Sequence, residues 1–225
     1  LFFRANDGTN GYELWKSDGT TTSLVQDNRP GSDSSAPQEL INVNGTLFFR
    51  ANDGTNGYEL WKSDGTTATL VQNIHPTGNS TPSSFTDVNG TLFFRADDGT
   101  NGIELWTSNG MTTTLLKDIV PGVGSSVPFP IVAFDGKAMF AAVSANPMNP
   151  LQLWESDGTM PGTVETTAEA FVSSTGSFPD EFVQVGAFTY FAAQTQTTGR
   201  ELWRTDGTVA GTMLVQDINP GNNSS

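Results

Sequence analysis

Three short loops concentrate the oxygen donors of this 225-residue chain: Asn6–Gly11 (NDGTNG), its copy at Asn52–Gly57, and the variant Asp97–Gly102 (DDGTNG). Asn6, Asp7, Asn10, Asn52, Asp53, Asn56, Asp97, Asp98 and Asn101 carry that chemistry. One reading is Ca²⁺ binding, since a hard cation takes roughly six to eight oxygens. Their spacing departs from the EF-hand pattern, and each loop offers few carboxylates. Another reading is contact with a polar ligand. A third is a plain turn, because Asn, Asp and Gly tolerate left-handed backbone and form Asx hydrogen bonds. No metal site is assigned and no cofactor is expected, with calcium the one candidate.

Charged residues recur at a second fixed place. Glu13, Glu59, Glu104 and Glu201 each precede Leu-Trp, and Arg4, Arg50 and Arg95 follow paired phenylalanines. Across a hairpin these are expected to form Glu–Arg pairs, or else a polar ligand clamp. Gln152 and Ala142 break the pattern in the fourth unit, so such a site is not fivefold. The only histidine, His75, has no counterpart in other units, which argues against a histidine metal site or triad. No acidic residue stands apart from the repeats as a catalytic carboxylate pair should. No catalytic residue is assigned, and the chain is expected not to be an enzyme. Asn44, Asn79 and Asn89 lie in N-x-[ST] sequons, and two of these are Asn-Gly turn residues.

The elements that position these groups are set by a repeat. ELWKSDGT occurs at Glu13–Thr20 and Glu59–Thr66, followed by ELWTSNGM from Glu104, LQLWESDGT from Leu151 and ELWRTDGT from Glu201. The five tryptophans, Trp15, Trp61, Trp106, Trp154 and Trp203, are 46, 45, 48 and 49 residues apart. Such a period marks an array whose units bury apolar faces against their neighbours. Each unit reads as four short strands: one ending at Asn-Gly, a Phe-rich one ending at the NDGTNG loop, the ELW strand ending at Asp-Gly, and a Thr/Leu strand leading into a Pro/Gly/Ser crossover. That predicts an all-β fold, a β-propeller of about five four-stranded blades A to D. A β-solenoid is the rival, but its coils repeat at shorter periods.

One propeller domain or fragment spans 1–225, with repeats near 1–46, 47–91, 92–137, 138–188 and 189–225. The B–C–D trio begins at Leu1, Leu47, Leu92, Ala138 and Thr189. Strand A is expected only at Glu39–Val43, Phe85–Val88, Ile131–Phe134 and Phe182–Val185. The first blade therefore lacks an inner strand, and the expectation is a chain that continues outside this stretch. A–B and C–D turns should share one face, with the longer B–C and D–A loops on the other, where binding usually sits. Each tryptophan is expected in the core between sheets, a sugar-stacking platform being the alternative.

The string ELW-x-[ST]-DG-T resembles the ELWxTDGTxxGT repeats of many bacterial proteins, often predicted to be extracellular. ELWRTDGTVAGT at Glu201–Thr212 fits best, Leu153–Thr163 keeps LWESDGTMPGT, and the first three units are two residues shorter. The resemblance spans nearly the whole chain. It implies a propeller and export, and it carries no catalytic residues.

Composition narrows the function class. With 24 acidic against 10 basic residues the formal charge is −14, which opposes direct contact with nucleic acid. No stretch has the roughly 20 apolar residues a membrane helix needs, so no membrane insertion is expected. Without cysteine there is no disulfide or thiolate chemistry. The expected role is a non-enzymatic extracellular binding or display module reading glycans or another surface protein. The alternatives are a structural or assembly propeller, a calcium-stabilised adhesion module, or a propeller-type hydrolase. If one blade has specialised, the unusual loops Ala145–Pro150 and Thr175–Asp180 point to the fourth, with Met148 and Asn149 as contact residues.

Overall fold

The computed structural model describes residues 1–145, 151–166, 178–195 and 197–221, and their regular structure is entirely β. Sheet 1 holds β1 (Phe2–Asn6), β2 (Tyr12–Ser17) and β3 (Thr22–Gln26). Sheet 2 holds β4 (Gln38–Val43), β5 (Thr46–Asn52), β6 (Tyr58–Ser63) and β7 (Ala68–Gln72). Sheet 3 holds β8 (Ser83–Val88), β9 (Thr91–Asp97), β10 (Ile103–Ser108) and β11 (Thr113–Lys117). Sheet 4 holds β12 (Ile131–Phe134), β13 (Lys137–Val143), β14 (Leu151–Ser156) and β15 (Thr163–Glu165). Sheet 5 holds β16 (Asp180–Val185), β17 (Phe188–Thr195), β18 (Gly199–Thr205) and β19 (Met213–Gln216). Each is an antiparallel meander in chain order, and sheet 1 has three strands, as the repeat count requires.

Turn chemistry explains the meanders. Asn44-Gly45, Asn89-Gly90 and Asp135-Gly136 all have both residues at positive φ, the type I′ geometry whose twist matches the flanking strands. Asp-Gly is likewise expected to make a two-residue hairpin turn, but the Asp-Gly turns between the third and fourth strands are built differently. Gly19 has φ 96° but Asp18 is not at positive φ, and Asp18 Oδ1 accepts the amides of Thr20 and Thr21 at 2.8 Å. These are four-residue Asx-stabilised loops. In sheets 4 and 5 two added residues bring a second Gly-Thr. There Thr163 and Thr212 insert their hydroxyls against Ser156 and Thr205 at 2.7 Å.

Period-2 alternation gives every sheet two apolar faces. The forward face of sheet 2 (Val43, Phe48, Leu60, Ile74) packs on the rear face of sheet 3 (Leu92, Phe94, Ala96, Trp106). The same arrangement joins sheets 1 and 2, 3 and 4, and 4 and 5. The paired phenylalanines Phe48-Phe49 and Phe93-Phe94 serve opposite faces and are all fully buried. Trp61, Trp106, Trp154 and Trp203 sit in these interfaces, which makes them core residues.

Trp15 occupies the same strand position in sheet 1 but is only half-buried. Trp106→Ala should therefore cost about 3–5 kcal/mol. Trp15→Ala should cost clearly less, and chemical denaturation of the two variants checks the difference.

Candidate functional site

The repeated glutamate is a buried anchor. Glu13, Glu59 and Glu104 have no exposed surface, and the crossover leading to the next sheet folds around each. Glu104 accepts the amides of Ile119 (3.2 Å), Val120 (3.3 Å) and Ser126 (3.0 Å), and the Ser126 hydroxyl at 2.5 Å. Glu59 does the same with Ile74, His75 and Ser80, and Glu13 with Asn28 and Ser35. Burial pushes these three carboxyls above the usual glutamate range, against hydrogen bonds that favour the charged form. Glu201 takes the Ile218 amide at 3.2 Å, while its Oε1 is buried with no donor among the described residues.

This overturns the expected Glu–Arg pairing. The register sets Glu13 opposite Ala5 and Glu59 opposite Ala51, while Arg4 and Arg50 face Leu14 and Leu60. Glutamate and arginine therefore emerge from opposite faces of the hairpin. The arginines go to aromatic rings instead. Arg4 lies 5.0 Å from the Tyr12 ring centroid, Arg50 5.8 Å from Tyr58, and Arg95 5.3 Å from Phe129 at the start of the next sheet. Arg50 also donates to Gln38, and Arg95 Nε to Ser83 Oγ at 2.9 Å. Tyr12 is 47% exposed and Phe129 58%. Sequence reasoning missed these pairs, although Arg4 and Tyr12 recur as Arg50 and Tyr58 on either side of the same loop.

The oxygen-rich loops lie beside them, and their side chains largely fold back on themselves. Asn6 Oδ1 accepts the Gly8 amide at 2.7 Å. Asp7 Oδ1 accepts Thr9 and Asn10 at 2.9 and 2.8 Å, and its Oδ2 accepts Asn10 Nδ2 at 2.7 Å. Asn52, Asp53 and Asn56 repeat this set, as do Asp97, Asp98 and Asn101. Against partial burial, the largest single influence at Asp53 and Asp98, these hydrogen bonds together draw Asp7, Asp53 and Asp98 below the usual aspartate range. Among the described residues no three Asp, Glu or His side chains converge to hold a metal ion. The crossover packs directly on each loop: a Cβ on Gly57 would sit 2.3 Å from the Gly78 carbonyl oxygen. In sheets 1 to 3 loop and crossover thus form one shared rim. Met148 and Asn149 lie outside the described residues.

His75 is a spacer in this rim, its ring wedged against Gly78 and against Gly99 of the next sheet. On the opposite, turn-bearing face two open hollows of about 370 Å³ repeat at one position. Lys16, Ser17 and Asp18 line the first, and Lys62, Ser63 and Asp64 the second. Both lysines spend their ammonium on the neighbouring turn, at Gly65 O (2.7 Å) and Gly110 O (2.6 Å).

No protein-family model matches the sequence, and no curated protein matches it at a significant level. Solved structures do resemble the fold. A puromycin-hydrolysing peptidase of Mycobacterium tuberculosis aligns over 95% of this chain and 33% of its own, with TM-score 0.56 and 10% identity. A structure from a study of two prolyl endopeptidases aligns over 95% of this chain and 32% of its own, with TM-score 0.58 and 10% identity. The acylaminoacyl peptidase of Pyrococcus horikoshii aligns over 80% and 27%, with TM-score 0.53 and 10% identity. The chain spans about a third or less of the length of these proteins. At such identity the likeness concerns the fold alone, and it defines a β-propeller-like all-β protein.

Two predictions follow from the carboxylates. All four groups facing Glu104 are donors, so Glu104→Gln turns an NH₂ toward some of them and should cost about 1–3 kcal/mol. The pH dependence has two limbs. Carboxyls raised on folding contribute stability that is full below their unfolded pKa and lost as pH rises through the folded value. Glu13, Glu59 and Glu104 form that limb. Carboxyls lowered on folding contribute stability that is lost as pH falls through their folded values, and Asp7, Asp53, Asp98 and the turn residues Asp18 and Asp64 form this one. The melting temperature should peak in mildly acidic solution and fall toward both neutral and strongly acidic pH. A melting temperature that climbs steadily to neutrality would contradict this.

Proposed function

We propose that this chain is a non-enzymatic binding module, a propeller scaffold whose loop rim recognises extended glycans at several equivalent positions outside the cell. One observation carries the reading. An arginine paired with an aromatic ring recurs on sheets 1, 2 and 3 beside loops that are internally braced. An aromatic face packs on the apolar face of a pyranose ring, and the adjacent guanidinium offers fixed donors to hydroxyl or carboxylate oxygens. Each such platform is weak alone. Repetition along one rim converts weak contacts into avidity. Asn6, Asn52 and Asp97, with the loop residues after them, flank the platforms and supply the remaining oxygen acceptors. Because those loops close on their own amides, recognition works without calcium.

The test is a glycan array on the purified chain, with calcium and again with chelator. Binding should be equal in both. Tyr58→Ala combined with Arg50→Ala should weaken it about tenfold or more through lost avidity. Binding lost in chelator would turn the NDGTNG loops into metal sites, and silence in both conditions would favour the structural, assembly role.

A further inference from the structure

Asn-Gly occurs six times in this chain, at Asn10, Asn44, Asn56, Asn89, Asn101 and Asn109. The pair is chemically labile, because a glycine carries no Cβ to hinder attack by its amide on the side-chain carbonyl of the residue before it. Attack needs that amide free and the asparagine side chain unheld. The fold decides which of the six meets both conditions.

Five are held. Asn10, Asn56 and Asn101 each donate Nδ2 to the aspartate three residues earlier, at 2.7, 2.6 and 2.7 Å. Their glycines, Gly11, Gly57 and Gly102, are locked against carbonyls of the crossover. In sheet 3, Asn109 Oδ1 accepts the amides of Met111 and Thr112 at 2.9 Å, and the Gly110 amide donates to Ser108 Oγ at 3.1 Å. Between β8 and β9 the Gly90 amide donates to Asp87 Oδ1 at 2.8 Å.

The corresponding turn of sheet 2 differs. Asn42 stands where Asp87 stands in sheet 3, and the Gly45 amide has no acceptor among the described residues. Asn44 and Gly45 are both exposed, which holds for no other pair of the six. The Asn44 side chain is held only loosely, its Nδ2 lying 3.5 Å from the Gly90 carbonyl oxygen.

We propose that Asn44 is a site of self-modification. The Gly45 amide nitrogen gives up its proton to water and bonds to Asn44 Cγ, and the Cγ–Nδ2 bond breaks to release ammonia. The five-membered imide then takes up water and opens to aspartate or isoaspartate. No enzyme, metal or oxidant enters. Asp135 holds the same turn position in sheet 4 at φ 45°, so the aspartate product keeps the left-handed turn. It nevertheless loses the donor to Gly90 and sets a carboxylate against that carbonyl. Isoaspartate lengthens the main chain by one atom and breaks the two-residue turn. Conversion therefore loosens the contact between sheets 2 and 3 at this turn, and adds one negative charge to a chain already at −14.

The test is to age the purified chain in mildly alkaline buffer and follow each Asn-Gly by peptide mass spectrometry, with isoaspartate scored by enzymatic methylation. Asn44 should convert about tenfold or more faster than the other five, the difference that a held amide imposes. In denaturant the six rates should draw together, because the fold no longer holds any of them. Two exchanges test the cause. Asn42→Asp supplies the missing acceptor and should slow Asn44 several-fold. Asp87→Asn frees the Gly90 amide and should bring Asn89 up toward the rate of Asn44. Circular dichroism checks that both variants fold. Native conversion at Asn89 or Asn109 as fast as at Asn44 would overturn the proposal. So would a folded chain that ages with Asn44 intact, or two exchanges that leave both rates where they were.

Discussion

In sheets 1 to 3 the path from one sheet to the next hangs on a carboxylate held out of water. A buried glutamate is costly unless hydrogen-bond donors surround it. Here the donors come from the crossover that begins the next sheet: Glu59 gathers the amides of Ile74, His75 and Ser80, Glu104 those of Ile119, Val120 and Ser126. A loop rich in Pro, Gly and Ser has few apolar groups with which to fix itself. The carboxylate fixes it, and so sets where the next inner strand starts. The left-handed residues Ala36, Thr81 and Val127, each just after the anchoring serine, show how sharply the backbone turns there. Sheet-to-sheet packing of Phe, Leu and Trp then follows from an entry point already chosen.

The same anchor decides what remains for recognition. Once the glutamates are spent internally, the nearby arginines have no carboxylate across the hairpin and turn to rings. The three NDGTNG-type loops are rigid for a related reason: their amides close on Asn and Asp oxygens, and their second glycines lie against crossover carbonyls. What is left on the rim is therefore preorganised rather than reactive. Such a surface suits repeated weak contacts better than a single tight pocket.

Much of this was legible from the residues alone. The five tryptophans gave the repeat, and the Asn-Gly, Asp-Gly and NDGTNG punctuation placed the strands within a residue or two. The three-stranded first sheet was visible as a missing inner strand. The fate of Glu13, Glu59 and Glu104 was not. Counting along a hairpin offered Arg4, Arg50 and Arg95 as partners, but register puts the two charges on opposite faces. The true partners stand 22, 21 and 22 residues downstream, at Ser35, Ser80 and Ser126. Each is the Ser of a Ser-x-Pro triplet, a signal that could have been read with the glutamate. The C–D turns were also misread, because Asp-Gly alone does not distinguish a two-residue hairpin from an Asx-braced loop. That choice depends on hydroxyls and amides two to three residues further on.

Variation among the repeats shows which constraint is general and which is local. Sheet 3 has Thr107 where Lys62 stands in sheet 2, yet a cation still crosses to the next sheet, because Lys117 reaches Thr163 O at 2.9 Å. Sheet 4 has Glu155 at this place, and Lys137 of the same sheet neutralises it at 2.8 Å. Different residues thus meet one demand: charge near the sheet junction must find a partner, and the turn carbonyls of the next sheet are the nearest acceptors. The longer turns of sheets 4 and 5 are braced within their own sheet by buried threonine hydroxyls, Thr163 on Ser156 and Thr212 on Thr205. Such interchangeable solutions belong to a scaffold whose geometry is fixed by the packing of one sheet on the next. The rim loops, nearly identical in sheets 1 to 3, present one internally braced surface three times.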